Sequence, residues 1–156
     1  MKVGIIVYSK TGNTLAVAER IGNQLKADGI AASVERFSAE TLPQSNKPVR
    51  LTAVPSPNEF DAVIFGAPVQ AFSLDPAMSL YFEQIVEINP KNVFCFVTQH
   101  FKKPWLGGNH AMKQMLALLN KKGITAKSLG VVNWSSEQRE EQILQIMRQC
   151  SQAFKV

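Results

Sequence analysis

A polar run after the first apolar segment of the chain has the composition of an anion-binding loop. It precedes a helical pattern and reads Ser9-Lys10-Thr11-Gly12-Asn13-Thr14. Free backbone N–H groups at a helix start, together with the helix dipole, attract anions. The hydroxyl and amide side chains of the run are neutral donors, and its glycine permits close approach of the backbone. The run therefore predicts a phosphate-binding loop, and a helix merely capped by Thr11 or Asn13 is the alternative.

Two later loops carry aromatic side chains that suit a flat ring. Ligands of open parallel sheets bind beyond the carboxyl ends of the strands, which is where residues 66–72 and 98–109 would lie. Phe72, Phe101 and Trp105 fall in these loops, where a role in the core is less automatic than in a strand. Stacking on a planar ligand is one role for such rings, and packing onto the domain is the other.

The residue pattern does not support several other chemistries. His100 and His110 have no cysteine or carboxylate at ligand spacing, so we predict no metal site. Cys95 and Cys150 fall within apolar patterns, so we expect core residues rather than nucleophiles. The first loop lacks the lysine and hydroxyl ending of a nucleoside-triphosphate loop. The carboxylates that a phosphorelay receiver needs after the first and third strands are also missing.

Composition and charge indicate one packed domain with a basic second half. The chain has 156 residues, 46% of them apolar and 19% charged, which fits a single domain over residues 1–156. No apolar run reaches the roughly 20 residues of a membrane helix, so we expect a cytoplasmic protein without membrane contact. Residues 1–90 hold seven basic and nine acidic residues, whereas 91–156 hold ten and three. This asymmetry predicts either a face for anionic partners or an ordinary solvated surface, and the scattered lysines do not suggest nucleic-acid binding.

Apolar runs alternate with helical patterns along the chain. The runs at residues 3–8, 62–65 and 93–97 are apolar at every position, which suits parallel strands buried on both faces. Weaker strand patterns cover residues 32–37 and 128–132, and helical spacing recurs between the strands. This order predicts a doubly wound α/β sandwich with five parallel strands.

Two local predictions concern the connections. Four prolines lie between residues 38 and 59, so we expect at most a short helix at 39–42, followed by loop. Ser135 and Gln138 have the spacing of a capping box, which predicts where the last helix starts.

The three loops together resemble those of the flavodoxin family. The run at residues 9–14 matches that family's FMN-phosphate pattern, Ser/Thr-x-Thr-Gly-Asn-Thr, at every fixed position. Residues 66–69 resemble the opening of the second flavin loop, and residues 98–109 resemble the third. The resemblance covers the whole chain. It implies FMN as cofactor and a short-chain, flavodoxin-like three-layer α/β/α sandwich with a five-stranded parallel sheet of order 2-1-3-4-5.

The resemblance also implies which residues contact the cofactor. The phosphate would be bound by Ser9, Lys10 through its backbone, Thr11, Gly12, Asn13 and Thr14. The ring would be bound by Pro68, Val69, Gln70, Ala71, Phe72, Thr98, Gln99, His100 and Phe101, with Trp105, Gly107 and Gly108 as second choices. It implies no catalytic side chain and no metal, since a flavin carries the electrons itself.

The second flavin loop has no glycine between residues 69 and 72. A left-handed conformation would cost a non-glycine residue there roughly 1 kcal/mol or more. We therefore expect a negative φ at Ala71, and a left-handed Ala71 is the alternative.

Two functions are compatible with this resemblance. One is an electron-transfer flavoprotein of the bacterial cytoplasm that docks on redox partner proteins. The alternative is an NAD(P)H-dependent FMN oxidoreductase acting on quinones or similar acceptors. Flavodoxins are commonly acidic around the flavin, whereas this chain places Lys102 and Lys103 in a flavin loop. We therefore expect partners with acidic docking surfaces, and the sequence implies no oligomeric state.

Overall fold

A computed structural model describes residues 1–45, 47–103 and 105–155. The described residues form seven strands, namely β1 (Lys2–Tyr8), β2 (Ala31–Thr41), β3 (Pro48–Thr52), β4 (Ala62–Gln70), β5 (Ser73–Leu74), β6 (Asn92–Gln99) and β7 (Lys127–Asn133). They also form four α-helices, namely α1 (Asn13–Ala27), α2 (Pro76–Gln84), α3 (Gly108–Asn120) and α4 (Arg139–Ala153), and a 3-10 turn covers Pro57–Glu59.

The central strands form the predicted parallel sheet. The sheet order is β3-β2-β1-β4-β6-β7, and β5 pairs with β4. The five strands β2, β1, β4, β6 and β7 are mutually parallel and follow the predicted order 2-1-3-4-5, so the fold prediction is confirmed. Strand order reverses between β1 and β4, and a crevice at this reversal is the usual ligand site of such sheets.

The apolar strands are buried on both faces because neighbouring residues serve different layers. In β1, Ile5 packs in a cluster with residues of α1 and α4, whereas Ile6 packs in a second cluster with residues of α2 and α3. Every position of such a strand must therefore be apolar, which explains the continuous runs in the sequence. The two layers fix the carboxyl ends of the strands, and hence the loops that follow them.

The prediction for residues 38–59 is wrong in its secondary structure. The strand expected to end at residue 37 continues to Thr41, and β3 pairs with it in antiparallel orientation. Pro48 is tolerated because it is the first residue of β3, which lies at the edge of the sheet. Ala39 pairs with Leu51, which is buried, so the hairpin adds apolar cover where the sequence suggested a loop.

The capping box expected at Ser135 and Gln138 does not form. Helix α4 begins at Arg139, and Gln138 makes no side-chain capping bond. The hydroxyl of Ser136 instead accepts a hydrogen bond from the backbone N–H of Gln138 at 3.1 Å. Two glutamates in the first turn of α4 interact favourably with the positive end of the helix dipole. They stabilise this end of the helix without a capping box.

Candidate functional site

Three loops meet in a cleft at the carboxyl ends of β1, β4 and β6. The cleft has a volume of about 380 Å³. Its lining residues are Lys10, Thr11, Asn13, Pro68, Val69, Gln70, Asp75, Thr98, Gln99 and His100. The structure thus brings together residues from all three loops that the sequence singled out, at the crevice where the strand order reverses.

The first loop leaves the start of α1 uncapped. Gly12 precedes the helix with a left-handed φ of 99°, and no side chain caps it, so Thr11 and Asn13 are not capping residues. The N–H of Leu15 donates to Ser9 Oγ at 3.2 Å, and that of Ala16 donates to the Gly12 carbonyl at 2.9 Å. The backbone N–H groups of α1 therefore have protein acceptors only from its third residue, Leu15, onward.

Five consecutive backbone N–H groups, those of residues 10–14, remain available. Within residues 1–45, 47–103 and 105–155, none of them donates to a protein acceptor. Buried or semi-enclosed N–H groups are rarely left without acceptors, and a concave set of them at a helix start binds anions. The loop therefore fits a phosphate group, and this observation is independent of the sequence motif.

The hydroxyl groups of the first loop have different roles. Thr14 is buried, and its Oγ1 forms a hydrogen bond of 2.8 Å with Oγ1 of Thr98, which joins the first loop to the third. Ser9 is also buried, and its hydroxyl is engaged by the N–H of Leu15. Thr11 is exposed, lines the cleft and makes no side-chain hydrogen bond within the described residues, so its hydroxyl is the one free for a ligand.

The second loop adopts the conformation that the sequence argued against. Ala71 and Phe72 have φ values of 49° and 65°. They form the two-residue turn between β4 and β5, in which Gln70 pairs with Ser73. The expected negative φ at Ala71 is therefore wrong. Tight hairpins favour turns with two left-handed residues because these match the strand twist, and pairing of the hairpin offsets the cost of about 1 kcal/mol per residue.

The loop aromatics contact one another at the edge of the cleft. The rings of Phe72 and Phe101 stack with centroids 5.3 Å apart and an interplanar angle of 4°. Phe72 is 56% exposed and Trp105 is 70% exposed, with Nζ of Lys103 lying 5.6 Å from the Trp105 ring centroid. These three aromatic residues do not line the cleft itself. They form instead an open apolar border on the second and third loops.

Gln99 and the two glycines fix the third loop. Gln99 Oε1 accepts from the N–H of Gly108 at 3.0 Å, and its Nε2 donates to the Lys103 carbonyl at 2.5 Å and to Asn133 Oδ1. A Cβ on Gly107 would lie 2.8 Å from Cα of Phe72, so only glycine lets the second and third loops approach here. The Gln99 side chain thus joins the third loop to the end of β7, and its backbone carbonyl accepts from the N–H of Trp134 at 2.7 Å.

Asp75 is a cleft residue that the sequence analysis missed. It is 3% exposed, and its Oδ1 accepts from the N–H of Ala77 at 2.9 Å, which caps α2. Burial raises the pKa of Asp75, while the Ala77 hydrogen bond and the charge of Lys10 lower it. The one available signal was an aspartate directly before Pro76, which is typical of a helix cap and indicates nothing about a cleft.

Arg36 is the second residue that sequence reasoning missed. It lies on β2, and its Nη2 donates to the Ser9 carbonyl at 2.6 Å. No spacing in the sequence relates residue 36 to residue 9, because only the parallel pairing of β1 with β2 brings them together.

Within the described residues, metal and thiol chemistry have no site. No group of three or more His, Cys, Asp or Glu side chains there could hold a metal ion. Burial raises the pKa of the Cys95 thiol and raises that of Cys150 to about 12, which keeps both thiols protonated and unreactive. Among these residues, no helix has the length and hydropathy needed to cross a membrane.

Comparison with known proteins is consistent with this geometry. The sequence matches the family model of the flavodoxin domain over residues 4–133. No curated protein matches the chain in sequence.

Three solved structures illustrate the likeness of the fold. A flavodoxin of Streptococcus pneumonia TIGR4 is 18% identical over 98% of this chain and 97% of its own, with a TM-score of 0.71. An NAD(P)H:quinone oxidoreductase from Methanothermobacter marburgensis is 13% identical over 100% and 97%, with a TM-score of 0.66. A flavoprotein from Lactobacillus acidophilus NCFM, solved in complex with FMN, is 18% identical over 90% and 97%, with a TM-score of 0.56.

Proposed function

Since this chain belongs to the flavodoxin family, we propose that it binds FMN non-covalently and transfers electrons through it. The observation that carries the proposal is the set of five backbone N–H groups at residues 10–14, which have no acceptor within the described chain. A phosphate monoester is the flavin substituent that such a cradle would bind.

The chain's own residues would bind and orient the cofactor. The first loop would hold the phosphate through its backbone and the Thr11 hydroxyl. The second and third loops, with Pro68, Val69 and the backbone of Thr98 and Gln99, would border the ring, and the Thr14–Thr98 hydrogen bond would keep the two ends of the site in register. FMN supplies the redox chemistry when bound, so no side chain needs to act as a nucleophile.

A comparison of FMN with riboflavin tests the proposal. We expect the purified protein to bind FMN much more tightly than riboflavin in a fluorescence titration, since riboflavin lacks the phosphate. Equal affinity for the two flavins would exclude the assignment of the first loop.

The choice between a carrier and an enzyme needs a separate assay. We propose the carrier, because the exposed aromatic border at Phe72 and Trp105 offers a contact surface beside the cleft. The alternative, an NAD(P)H-dependent oxidoreductase, is motivated by the similarly folded quinone oxidoreductase. Steady-state oxidation of NADH or NADPH by a quinone, measured with FMN-loaded protein, would favour the enzyme, and its absence would favour the carrier.

Charge at this border leads to a prediction about partners. Lys102 and Lys103 are exposed on the third loop, and Asp75, the carboxylate among the described cleft residues, is buried. We propose that redox partners present acidic docking surfaces. Oxidation of the reduced protein by anionic ferricyanide should therefore slow as salt rises, because charges more than about 10 Å apart are largely screened at 0.1 M salt. Oxidation by a cationic cobalt complex should speed up instead.

A paired variant provides the control for this prediction. Lys102→Gln with Lys103→Gln should weaken the salt dependence with ferricyanide. Lys91→Gln with Lys121→Gln removes the same charge from exposed positions at the amino-terminal end of the parallel strands, opposite the cleft. This pair should leave the salt dependence unchanged. A rate with ferricyanide that is independent of salt in the parent protein would show that the two loop lysines do not steer partners.

A further inference from the structure

Arg36 contacts the first loop from the neighbouring strand. Its Nη2 lies 2.6 Å from the carbonyl oxygen of Ser9, the residue with which the loop begins. The Ser9 hydroxyl accepts from the N–H of Leu15, so the same residue is held on one side by Arg36 and on the other by α1.

This contact determines the direction of a backbone donor. The chain has no cis peptide bond within the described residues, so the carbonyl of Ser9 and the N–H of Lys10 lie in their shared peptide plane and point in opposite directions. Arg36 binds the carbonyl on the β2 side, which turns the Lys10 N–H away from β2. Lys10 lines the cleft, and its N–H is the first of the five available donors.

The charge of Arg36 is not neutralised by an ion pair. Within the described residues, Arg20, Arg50 and Arg148 each pair with a glutamate. Arg36 forms no such pair, and its hydrogen bond goes to a neutral carbonyl. Its exposed guanidinium therefore adds a positive charge, without an ion-pair partner among the described residues, beside a loop whose own donors are otherwise neutral, and the exposed Lys10 is another nearby cation.

We propose that Arg36 is a positioning residue that makes the cleft specific for the phosphorylated flavin. It orients the Lys10 N–H and attracts the phosphate through its positive charge, while contributing little to binding of the flavin ring. The inference rests on the proposed function and adds a residue and a charge dependence to it.

The test compares two flavins across three variants. Arg36→Gln removes the charge, and Arg36→Lys keeps it while changing the hydrogen-bond geometry. Arg50→Gln is the matched control, because Arg50 is an exposed arginine on β3 that pairs only with Glu40. Dissociation constants for FMN and for riboflavin are measured by fluorescence titration at several salt concentrations, and protection by inorganic phosphate is measured by thermal unfolding.

We expect Arg36→Gln to lose only the part of the binding affinity that the phosphate contributes. Arg36→Gln should weaken FMN binding about tenfold and flatten its salt dependence, as expected for a lost interaction with a charged group. Riboflavin binding should change less than about twofold, Arg36→Lys should recover part of the FMN affinity, and Arg50→Gln should match the parent protein. Stabilisation by inorganic phosphate should fall with Arg36→Gln.

Two other outcomes would overturn the inference. Equal losses for FMN and riboflavin would show that Arg36 only supports the loop structurally, and unchanged FMN affinity would show that it has no role. Neither outcome affects the proposed function as long as the parent protein prefers FMN. Failure of that preference in the parent protein would instead refute the proposed function.

Discussion

Replacing Thr11 by leucine should weaken FMN binding at least about tenfold while changing riboflavin affinity little. The Thr11 hydroxyl faces the cleft and makes no hydrogen bond within the described chain, so its loss removes a donor to the ligand without breaking a protein contact. A hydrogen bond to a charged group contributes about 1.5–3 kcal/mol, which corresponds to at least a tenfold change in affinity. The leucine side chain would also crowd the phosphate cradle.

The choice of Thr11 over Thr14 makes this result interpretable. Thr14 is buried and bonded to Thr98, so changing it would alter both stability and binding. Thr125→Leu is a matched control, because Thr125 is exposed in the loop before β7, at the amino-terminal end of the parallel strands and away from the cleft. Equal FMN affinities of the Thr11 and Thr125 variants, measured by fluorescence titration, would mean that the Thr11 hydroxyl does not contact the phosphate.

The parts of the site that sequence could predict are contiguous in the chain. Residues 9–14 carry their chemistry within one turn, since a strand end, a glycine and a helix start are all visible in the order of residues. Asp75 and Arg36 were not predictable in this way. The first resembles an ordinary helix cap, and the second reaches the loop only because β2 pairs with β1.

Two of the three wrong predictions have a common physical origin. At Ala71, the preference of non-glycine residues for a negative φ disfavoured the observed turn. Across residues 38–59, the prolines disfavoured regular secondary structure. In both places a hairpin forms on an existing sheet. Its pairing outweighs a cost of about 1 kcal/mol per left-handed residue at Ala71 and Phe72, and the edge strand β3 accepts Pro48 as its first residue. The conformational preferences of single residues predict the structure of an isolated segment. These two segments instead pair with strands of the sheet, and that pairing determines their conformation.

Replacing Asp75 by asparagine should raise the reduction potential of bound FMN at pH values above the pKa of the Asp75 carboxyl. The carboxylate lines the cleft and is buried, so its negative charge opposes the charge that reduction adds to a flavin. At an effective dielectric constant of about 20, two unit charges about 10 Å apart repel each other by about 1–2 kcal/mol. That energy corresponds to tens of millivolts in a two-electron potential.

The pH dependence of the reduction potential tests the direction of this effect a second time. Burial raises the pKa of Asp75, with the Ala77 hydrogen bond and the charge of Lys10 opposing the shift. Burial and the charge of Asp75 raise the pKa of the neighbouring Tyr8, and Arg36 lowers it. Below the pKa of Asp75 the carboxyl is neutral, so parent and variant should have the same potential. As pH rises through that pKa, the parent potential should fall below that of Asp75→Asn, and the gap should then stay constant.

Stability should not confound this measurement. A carboxyl whose pKa is raised by folding stabilises the native state most below its unfolded pKa, and this contribution is lost as pH rises through the folded pKa. At pH values above the folded pKa of Asp75 the variant therefore removes a buried charge, and asparagine can still cap α2. We expect Asp75→Asn to unfold thermally at the same temperature as the parent protein or higher.

A second carboxylate variant separates the local effect from net charge. Glu87→Gln removes an exposed carboxylate from the loop before β6, at the amino-terminal end of the parallel strands and away from the cleft. Spectroelectrochemical titration of FMN-loaded proteins across a range of pH should show a gap between the parent protein and Asp75→Asn that opens with rising pH, and no gap for Glu87→Gln. Identical potentials for all three proteins at high pH would show that Asp75 serves only as the cap of α2, because a carboxylate facing the reduced ring must oppose its charge.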